Sequence, residues 1–382
     1  MKVAVAIDSF KGSLSSMEAG LAAKEGILRV YPKAEVFVRP LADGGEGTMD
    51  ALILGMGGRL CKVQVTGPLG APVLCPYGID DHTGTAIIDM SGAAGINLIA
   101  EKDRNPFYTT TFGVGEVIKD AILNGCRKFI VGIGGSVTND GGAGMLQALG
   151  YGFLDEQGNP VGFGAKELSH IVRITDTDVL PQLKECEFKI ACDVTNVLCG
   201  EFGSSYVYGP QKGATPDMVI EMDGWLAHYA EQVQKFNPKA DPLIPGTGAA
   251  GGLGFAFLAF LNSTLESGID IIMDAVKLET CIETSDLVIT GEGRLDEQTV
   301  MGKAPAGVAK LAKKYGKPVL AFSGMVTEEA RQCNEHGIDA FFPILRRVVS
   351  LEQAMDAENS KKNMSDTVEQ VFRLLLINKK ES

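Results

Sequence analysis

The chain has 382 residues, 45% hydrophobic and 22% charged, the balance of a soluble globular protein too long for one ordinary core. Its formal net charge is −13, a field that repels nucleic acid and anionic membrane, so neither is an expected partner. Eight cysteines form no C-x-x-C pair and the four histidines are scattered, which removes a zinc pattern and fits reduced thiols in a cytoplasmic protein.

In chain order, the stretch before Asp8 is too short for a signal peptide. VAVAI (3–7) instead reads as a parallel strand buried on both faces. Ser15 and Glu18 form a capping-box pattern that opens a helix to about Tyr31, where Pro32 ends it. AEVFVRPLAD (34–43) supplies the next strand. KFIVGI (128–133) is a strand, GMLQALG (144–150) a helical segment and FKIAC (188–192) another strand. GTGAAG (246–251) matches a dinucleotide fingerprint, but Pro242 and Pro245 stand where that fold needs a clean strand. It reads as a glycine loop leading into a helix at 255–261. The longest apolar stretch, 252–261, is half the roughly 20 residues that cross a bilayer. SDLVIT (285–290) is a strand followed by the loop GEGRLDEQTVMGKA. Pro305 then starts a helix and PVLAFSG (318–324) is the next parallel strand. The tail 360–382 reads as a closing amphipathic helix.

Strands alternating with helices argue for an α/β fold with largely parallel sheets. Between about 76 and 282 the glycine loops multiply and strand spacing becomes irregular. The expected organisation is therefore a discontinuous domain of residues 1–75 and 283–382, an inserted α/β domain of 76–282, and an active site in the cleft between them.

GIGGSVTNDGGAG, Gly132 to Gly144, carries six glycines between a strand end and a helix start, where bare amides meet a helix dipole. Its Gly134, Gly135, Ser136, Asn139, Asp140, Gly141 and Gly142 are candidate ligand contacts. The 290–305 stretch occupies the same position and adds Glu292, Arg294, Asp296 and Lys303 to Gly291 and Gly293. Its cations suit phosphate and its carboxylates suit Mg²⁺. Asp8, Lys11 and Ser13 follow the first strand, and Asp43, Gly44 and Gly45 the second. Asp193 follows the 188–192 strand, and Lys212 lies in a compact loop. One such aspartate is ordinarily a cap or turn residue, but several beside glycine loops at strand ends point to a ligand site. There is no G-x-x-x-x-G-K-[ST], G-x-S-x-G or H-E-x-x-H, which sets aside P-loop ATPase, α/β-hydrolase and zinc-protease chemistry.

Anion cradles, strand-end carboxylates and a few cations suit phosphoryl transfer, which needs positioning and charge more than covalent help. A sugar-phosphate isomerase or dehydrogenase is the rival enzyme reading, and a two-lobed binding protein the non-catalytic one.

DSFKGS (8–13), LADGGEGT (41–48), TTTFGVGE (109–116), GIGGSVTNDGGAG (132–144), ACDVTN (191–196), YGPQKGA (208–214), PGTGAAGGLG (245–254) and TGEGRLDEQTVMGKAPAGVA (290–309) together resemble the bacterial class I glycerate kinases. The resemblance implies ATP-dependent phosphorylation of D-glycerate to 2-phosphoglycerate. It also implies a Rossmann- or flavodoxin-like domain carrying a second α/β domain. Kinases for other small hydroxy acids remain the alternative. The chain departs from the family at Val197–Ser205, where the proline and glycine-rich continuation is replaced by VLCGEFGSS. On this reading Asp193 takes the acceptor proton, Lys11 and Arg294 hold phosphate or the substrate carboxylate beside Asp8, and Asp296, Asp43 or Glu292 takes Mg²⁺. The glycine loops, with Ser13, Lys212 and Lys303, surround phosphate or substrate. Which loop holds ATP and which holds glycerate stays open, as does the oligomeric state.

Overall fold

In the computed structural model, which describes residues 1–42, 49, 52–53 and 57–378, the chain divides into two units. The first takes residues 1–42 and the chain from Ile269 onward, and the second takes Gly57–Gly268. The strands in chain order are β1 (Lys2–Ile7), β2 (Glu35–Val38), β3 (Arg59–Thr66), β4 (Pro72–Asp80), β5 (Thr85–Asp89), β6 (Lys128–Gly132), β7 (Gly152–Leu154), β8 (Arg173–Thr175), β9 (Glu187–Ala191), β10 (Ser263–Glu266), β11 (Leu287–Leu295), β12 (Val319–Val326) and β13 (Ala340–Pro343).

The first unit is a five-stranded sheet in the order β13-β12-β11-β1-β2, parallel throughout. Counted within the unit, this is the flavodoxin-like order of doubly wound sheets, with its reversal point between β1 and β11. The apolar run of β1 is buried because both faces are covered. Val3, Val5 and Ile7 pack with Ala19, Ala23 and Ile27 of the helix Ser16–Val30 and with Met364, Val368 and Phe372 of the closing helix Ala357–Asn378. The capping box forms: Glu18 N–H donates to Ser15 Oγ (3.3 Å) and Ser15 N–H to Glu18 Oε2 (3.0 Å).

The second unit has a six-stranded sheet, β10-β9-β6-β5-β4-β3, parallel from β10 to β5 and antiparallel at β4 and β3. Phe129 of β6 stacks on Phe188 of β9 at 4.6 Å inside its core. β7 and β8 form a separate antiparallel pair.

The unit boundaries differ from those expected from composition. Residues 59–75 belong to the second unit, because Arg59–Thr66 pairs along its whole length with Pro72–Asp80, whose other edge joins β5. Residues 269–282 belong to the first unit, where the helix Leu278–Glu283 packs on β1 and on the helix Ala304–Lys314. The 34–43 strand is shorter than expected, only Glu35–Val38. At 249–252 the chain is irregular: Ala250, Gly251 and Gly252 have φ of 52°, 73° and 93° before a regular helix runs to Phe260.

Another difference bears on the site. β11 does not stop at Thr290 but continues through Gly291-Glu-Gly-Arg-Leu295, pairing with β12. Gly291 is required there because the Phe322 carbonyl oxygen sits where a Cβ would project. The glycines that read as a loop mark close strand approach.

Candidate active site

The carboxyl ends of β1, β11 and β12 surround a cavity of about 420 Å³ within the first unit, at the reversal point of the sheet. Asp8 is buried immediately after β1. Its N–H donates to the Gly291 carbonyl (2.9 Å) and its Oδ1 accepts from Ser9 N–H (2.6 Å). The chain then folds into a tight turn, with Phe10 N–H on the Leu14 carbonyl (2.8 Å) and Ser13 N–H on the Phe10 carbonyl (2.7 Å). Lys11 is exposed at its tip, and Ser13 Oγ donates to Ser360 Oγ at 2.7 Å.

Because β11 continues past Gly291, Glu292 and Arg294 stand two residues apart on a strand, and both line the cavity. Glu292 Oε1 accepts from Thr299 Oγ1 at 2.7 Å, while its Oε2 lies 3.9 Å from Lys303 Nζ. Asp296 Oδ1 accepts from Gln298 N–H at 2.9 Å and is 4.0 Å from the same Lys303 Nζ. Its Oδ2 meets Arg294 Nε at 3.1 Å. Lys303 thus bridges the two carboxylates. Asp8, Glu292 and Asp296 with Lys11, Arg294 and Lys303 line one cavity, three charges of each sign. Among the described residues no group of three or more His, Cys, Asp or Glu could hold a metal ion alone. Glu292 and Asp296 do offer the hard oxygens that Mg²⁺ takes singly or in pairs, with phosphate and water completing its shell. Gly291 and Gly293 are strand residues rather than the loop residues expected. Asp43, Gly44 and Gly45 lie outside the described residues.

The Gly132–Gly144 stretch lies in the second unit and behaves differently from the expected anion loop. Asp140 is fully buried, and its Oδ2 accepts from Thr111 N–H (2.7 Å), Thr111 Oγ1 (2.8 Å) and Gly144 N–H (3.4 Å). Its Oδ1 accepts from Gly142 N–H at 3.2 Å, and Gly141 N–H donates to the Gly251 carbonyl at 2.9 Å. The amides of 141, 142 and 144 are therefore spent on the protein itself. Burial pushes the Asp140 carboxyl above its ordinary range, against the pull of these donors. Asn139 is buried too, its Nδ2 donating to Ser205 Oγ at 3.0 Å.

Lys212 is 1% exposed, and its Nζ donates to Ser136 Oγ (2.9 Å) and the Thr138 carbonyl (2.7 Å). Burial lowers its pKa to about 7, with Asp140 opposing the shift. Its amine ties the 136–138 segment from within the unit. Among the described residues, Gly134 and Gly135 are the expected glycines that are exposed, at the end of β6.

Asp193 follows β9 in the second unit and is exposed, with its Oδ1 accepting from Gly268 N–H at 3.0 Å. Asn196, which the sequence analysis passed over as a site residue, ties the divergent loop together. Its carbonyl accepts from Gly246 N–H (3.2 Å) and Gly248 N–H (2.9 Å), its Nδ2 donates to the Phe202 carbonyl (2.9 Å), and its Oδ1 accepts from Tyr208 OH (2.6 Å). Thr111 and Thr299 were also missed, although both sit in motifs that drew notice. No helix among the described residues is long and apolar enough to cross a membrane.

The first unit is thus a flavodoxin-ordered α/β sheet whose reversal point carries paired carboxylates and cations. The chain belongs to the glycerate kinase family, whose model matches residues 3–376. It is 46% identical over 354 residues to the glycerate 2-kinase of Escherichia coli K12, covering 93% of each chain. It is 44% identical over 375 residues to the glycerate kinase of Haemophilus influenzae, covering 98% of this chain and 99% of the relative. The crystal structure of a candidate glycerate kinase 2 from Salmonella typhimurium LT2 superimposes with a TM-score of 0.92 at 42% identity, covering 100% of this chain and 99% of the other. The chain is accordingly an enzyme of the kinase class, a phosphotransferase with an alcohol group as acceptor.

Proposed function

We propose that the chain transfers the γ-phosphoryl group of ATP to the 2-hydroxyl of D-glycerate, releasing ADP and 2-phosphoglycerate. The observation that carries this reading is the group of carboxylates and cations at the reversal point of the first unit. Family membership and the E. coli relative named as a glycerate 2-kinase support it.

Phosphoryl transfer requires positioned anions and compensated charge. Lys11, Arg294 and Lys303 supply the cationic side. Mg²⁺, held by Glu292 and Asp296 together with phosphate oxygens, would neutralise charge on the transferred group. Thr299 fixes the Glu292 carboxylate by its hydroxyl, so Glu292 keeps one oxygen toward Thr299, in the segment after its own strand, and the other toward Lys303. Asp193, anchored by the Gly268 amide, accepts the proton of the attacking hydroxyl.

The test is a coupled ADP-release assay with Mg-ATP and D-glycerate, the product being assigned by ³¹P NMR. Turnover that requires both substrates and places phosphate on the 2-hydroxyl is expected. Turnover on a different hydroxy acid, with none on glycerate, would shift the substrate and make the Val197–Ser205 loop the specificity element. Silence on every hydroxy acid would overturn the kinase reading.

A further inference from the structure

The cavity of the first unit has a second half that phosphate chemistry does not use. Beyond the charged residues it is lined by Met325 at the end of β12, by Ile344 and Leu345 just after β13, and by Leu351 and Met355. The last two lie on a short helix, Leu351–Met355, opened by a Ser350–Gln353 capping box. Four residues apart, they share a helix face. Met325 and Leu351 are 50% and 78% exposed, an unusual state for large apolar side chains beside a cavity.

The strand order converts this into a linear gradient. Asp8 and Lys11 follow β1, Glu292 and Arg294 belong to β11, Met325 belongs to β12, and Ile344 follows β13, and these four strands are consecutive neighbours. Arg294 and Met325 are register partners, so the step from cation to apolar wall takes one strand spacing. Three spacings of about 4.8 Å make the span across these strand ends roughly 14 Å, with the charged residues toward β1 and β11 and Met325 and Ile344 toward β12 and β13. A three-carbon hydroxy acid has no apolar body to lay against such a wall. A volume of about 420 Å³ belongs to the class of sites that hold larger ligands, roughly 300–1,000 Å³.

We propose that this cavity is the nucleotide site. The phosphates lie at the β1–β11 end, against Lys11, Arg294 and Lys303. The base lies on Met325 and Leu345 at the β12–β13 end, and the short helix carrying Leu351 and Met355 borders it from the side of the Lys11 turn, where the Met355 methyl sits beside Gly12; thioether sulfur and aliphatic carbon suit a π face. The inference deepens the kinase reading and rests on it. It assigns the phosphoryl donor to the first unit.

The experiment is isothermal titration of the full chain with ADP in Mg²⁺ buffer without glycerate, then with adenosine and with inorganic tripolyphosphate. The variants are Met325→Ala/Leu351→Ala, both at exposed positions, and Arg294→Ala. The double variant should lose at least tenfold in affinity for ADP and adenosine, keep its tripolyphosphate affinity, and keep the KM for glycerate within about twofold. Arg294→Ala should show the opposite split, weak tripolyphosphate binding with adenosine retained. Unchanged ADP affinity in the double variant, or a raised KM for glycerate in its place, would overturn the proposal. A parent chain that binds ADP with this pattern yet phosphorylates no glycerate would support the nucleotide site and sink the glycerate reading. No ADP binding by the parent would sink both.

Discussion

Asp140→Ala tests whether the glycine-rich stretch of the second unit is held by a buried carboxylate or merely passes near one. The carboxylate receives three bonds of good length, from Thr111 N–H at 2.7 Å, Thr111 Oγ1 at 2.8 Å and Gly142 N–H at 3.2 Å, and a longer one from Gly144 N–H at 3.4 Å. Hydrogen bonds to a charged group contribute about 1.5–3 kcal/mol each, and a donor left buried without a partner costs about 1–3 kcal/mol. Against this stands the relief of no longer burying a carboxylate, the burial that raises its pKa. Truncating one member of a buried charged network typically nets about 3–5 kcal/mol, and we expect that loss here. For a unit of this size, about 2–4 °C of melting temperature per kcal/mol gives a fall of about 6–20 °C. The only tryptophan, Trp225, lies in the helix Pro216–Phe236 of the same unit with its ring 4.8 Å from Phe107, so its fluorescence follows the right transition. Asp140→Asn, which keeps one carbonyl oxygen for the donors but turns an amide toward the others, should fall between parent and alanine. A melting temperature within 3 °C of the parent in Asp140→Ala would refute the reasoning.

Gly251 has φ +73° and a Cβ there would collide with the Thr138 carbonyl, so Gly251→Ala should cost about 2–4 kcal/mol in urea unfolding; a cost under 1 kcal/mol would show that the 138–141 segment yields easily. Lys212 titrates near 7 when folded and near 10.5 when unfolded, so between those values the unfolded chain binds the extra proton and stability rises with pH. The stability difference between parent and Lys212→Met should therefore grow by up to about 1.4 kcal/mol per pH unit above 7, and a flat difference would contradict the burial of an ionisable amine. The neutral amine keeps both its bonds to Ser136 and Thr138, so no loop rearrangement is expected on the way. Asp193→Asn retains an oxygen for the Gly268 amide yet removes the base, and kcat should fall at least a hundredfold; turnover within tenfold of the parent would remove Asp193 from proton transfer.

The parts of the fold legible in the sequence were those set by local signals. The β1 run and the Ser15–Glu18 capping box appear where their side chains alone would place them, and so does the strand-helix-strand order expected over 285–324, except that its first strand runs on to Leu295. The Arg59–Asp80 hairpin was missed as a member of the second sheet because membership is decided by β5, a partner with no local signal at 59. Glycine misled twice. At 291 it was read as loop, but the cause is the Phe322 carbonyl pressing on the strand from β12. At 141–144 it was read as a cradle for anions, but Thr111, some thirty residues earlier, brings the carboxylate of Asp140 to those amides instead. The charged half of the cavity could be named from Lys11, Glu292, Arg294, Asp296 and Lys303. Its apolar half could not, because methionine and leucine after a strand look like ordinary core until the sheet order sets them in a row.

β1, an inner strand of the first sheet, has a partner far away in the chain. β1 and β2 end by Val38, but β11, which covers the other edge of β1, begins only at Leu287. On a ribosome adding about 5–20 residues per second, the roughly 250 residues between them take about 12–50 s to appear. Through that interval β1 carries an open, apolar edge while the whole of the second unit is being made and can fold. The first unit is thus begun first and finished last, and the edge of β1 is the place where a growing chain is most exposed to pairing with a stranger.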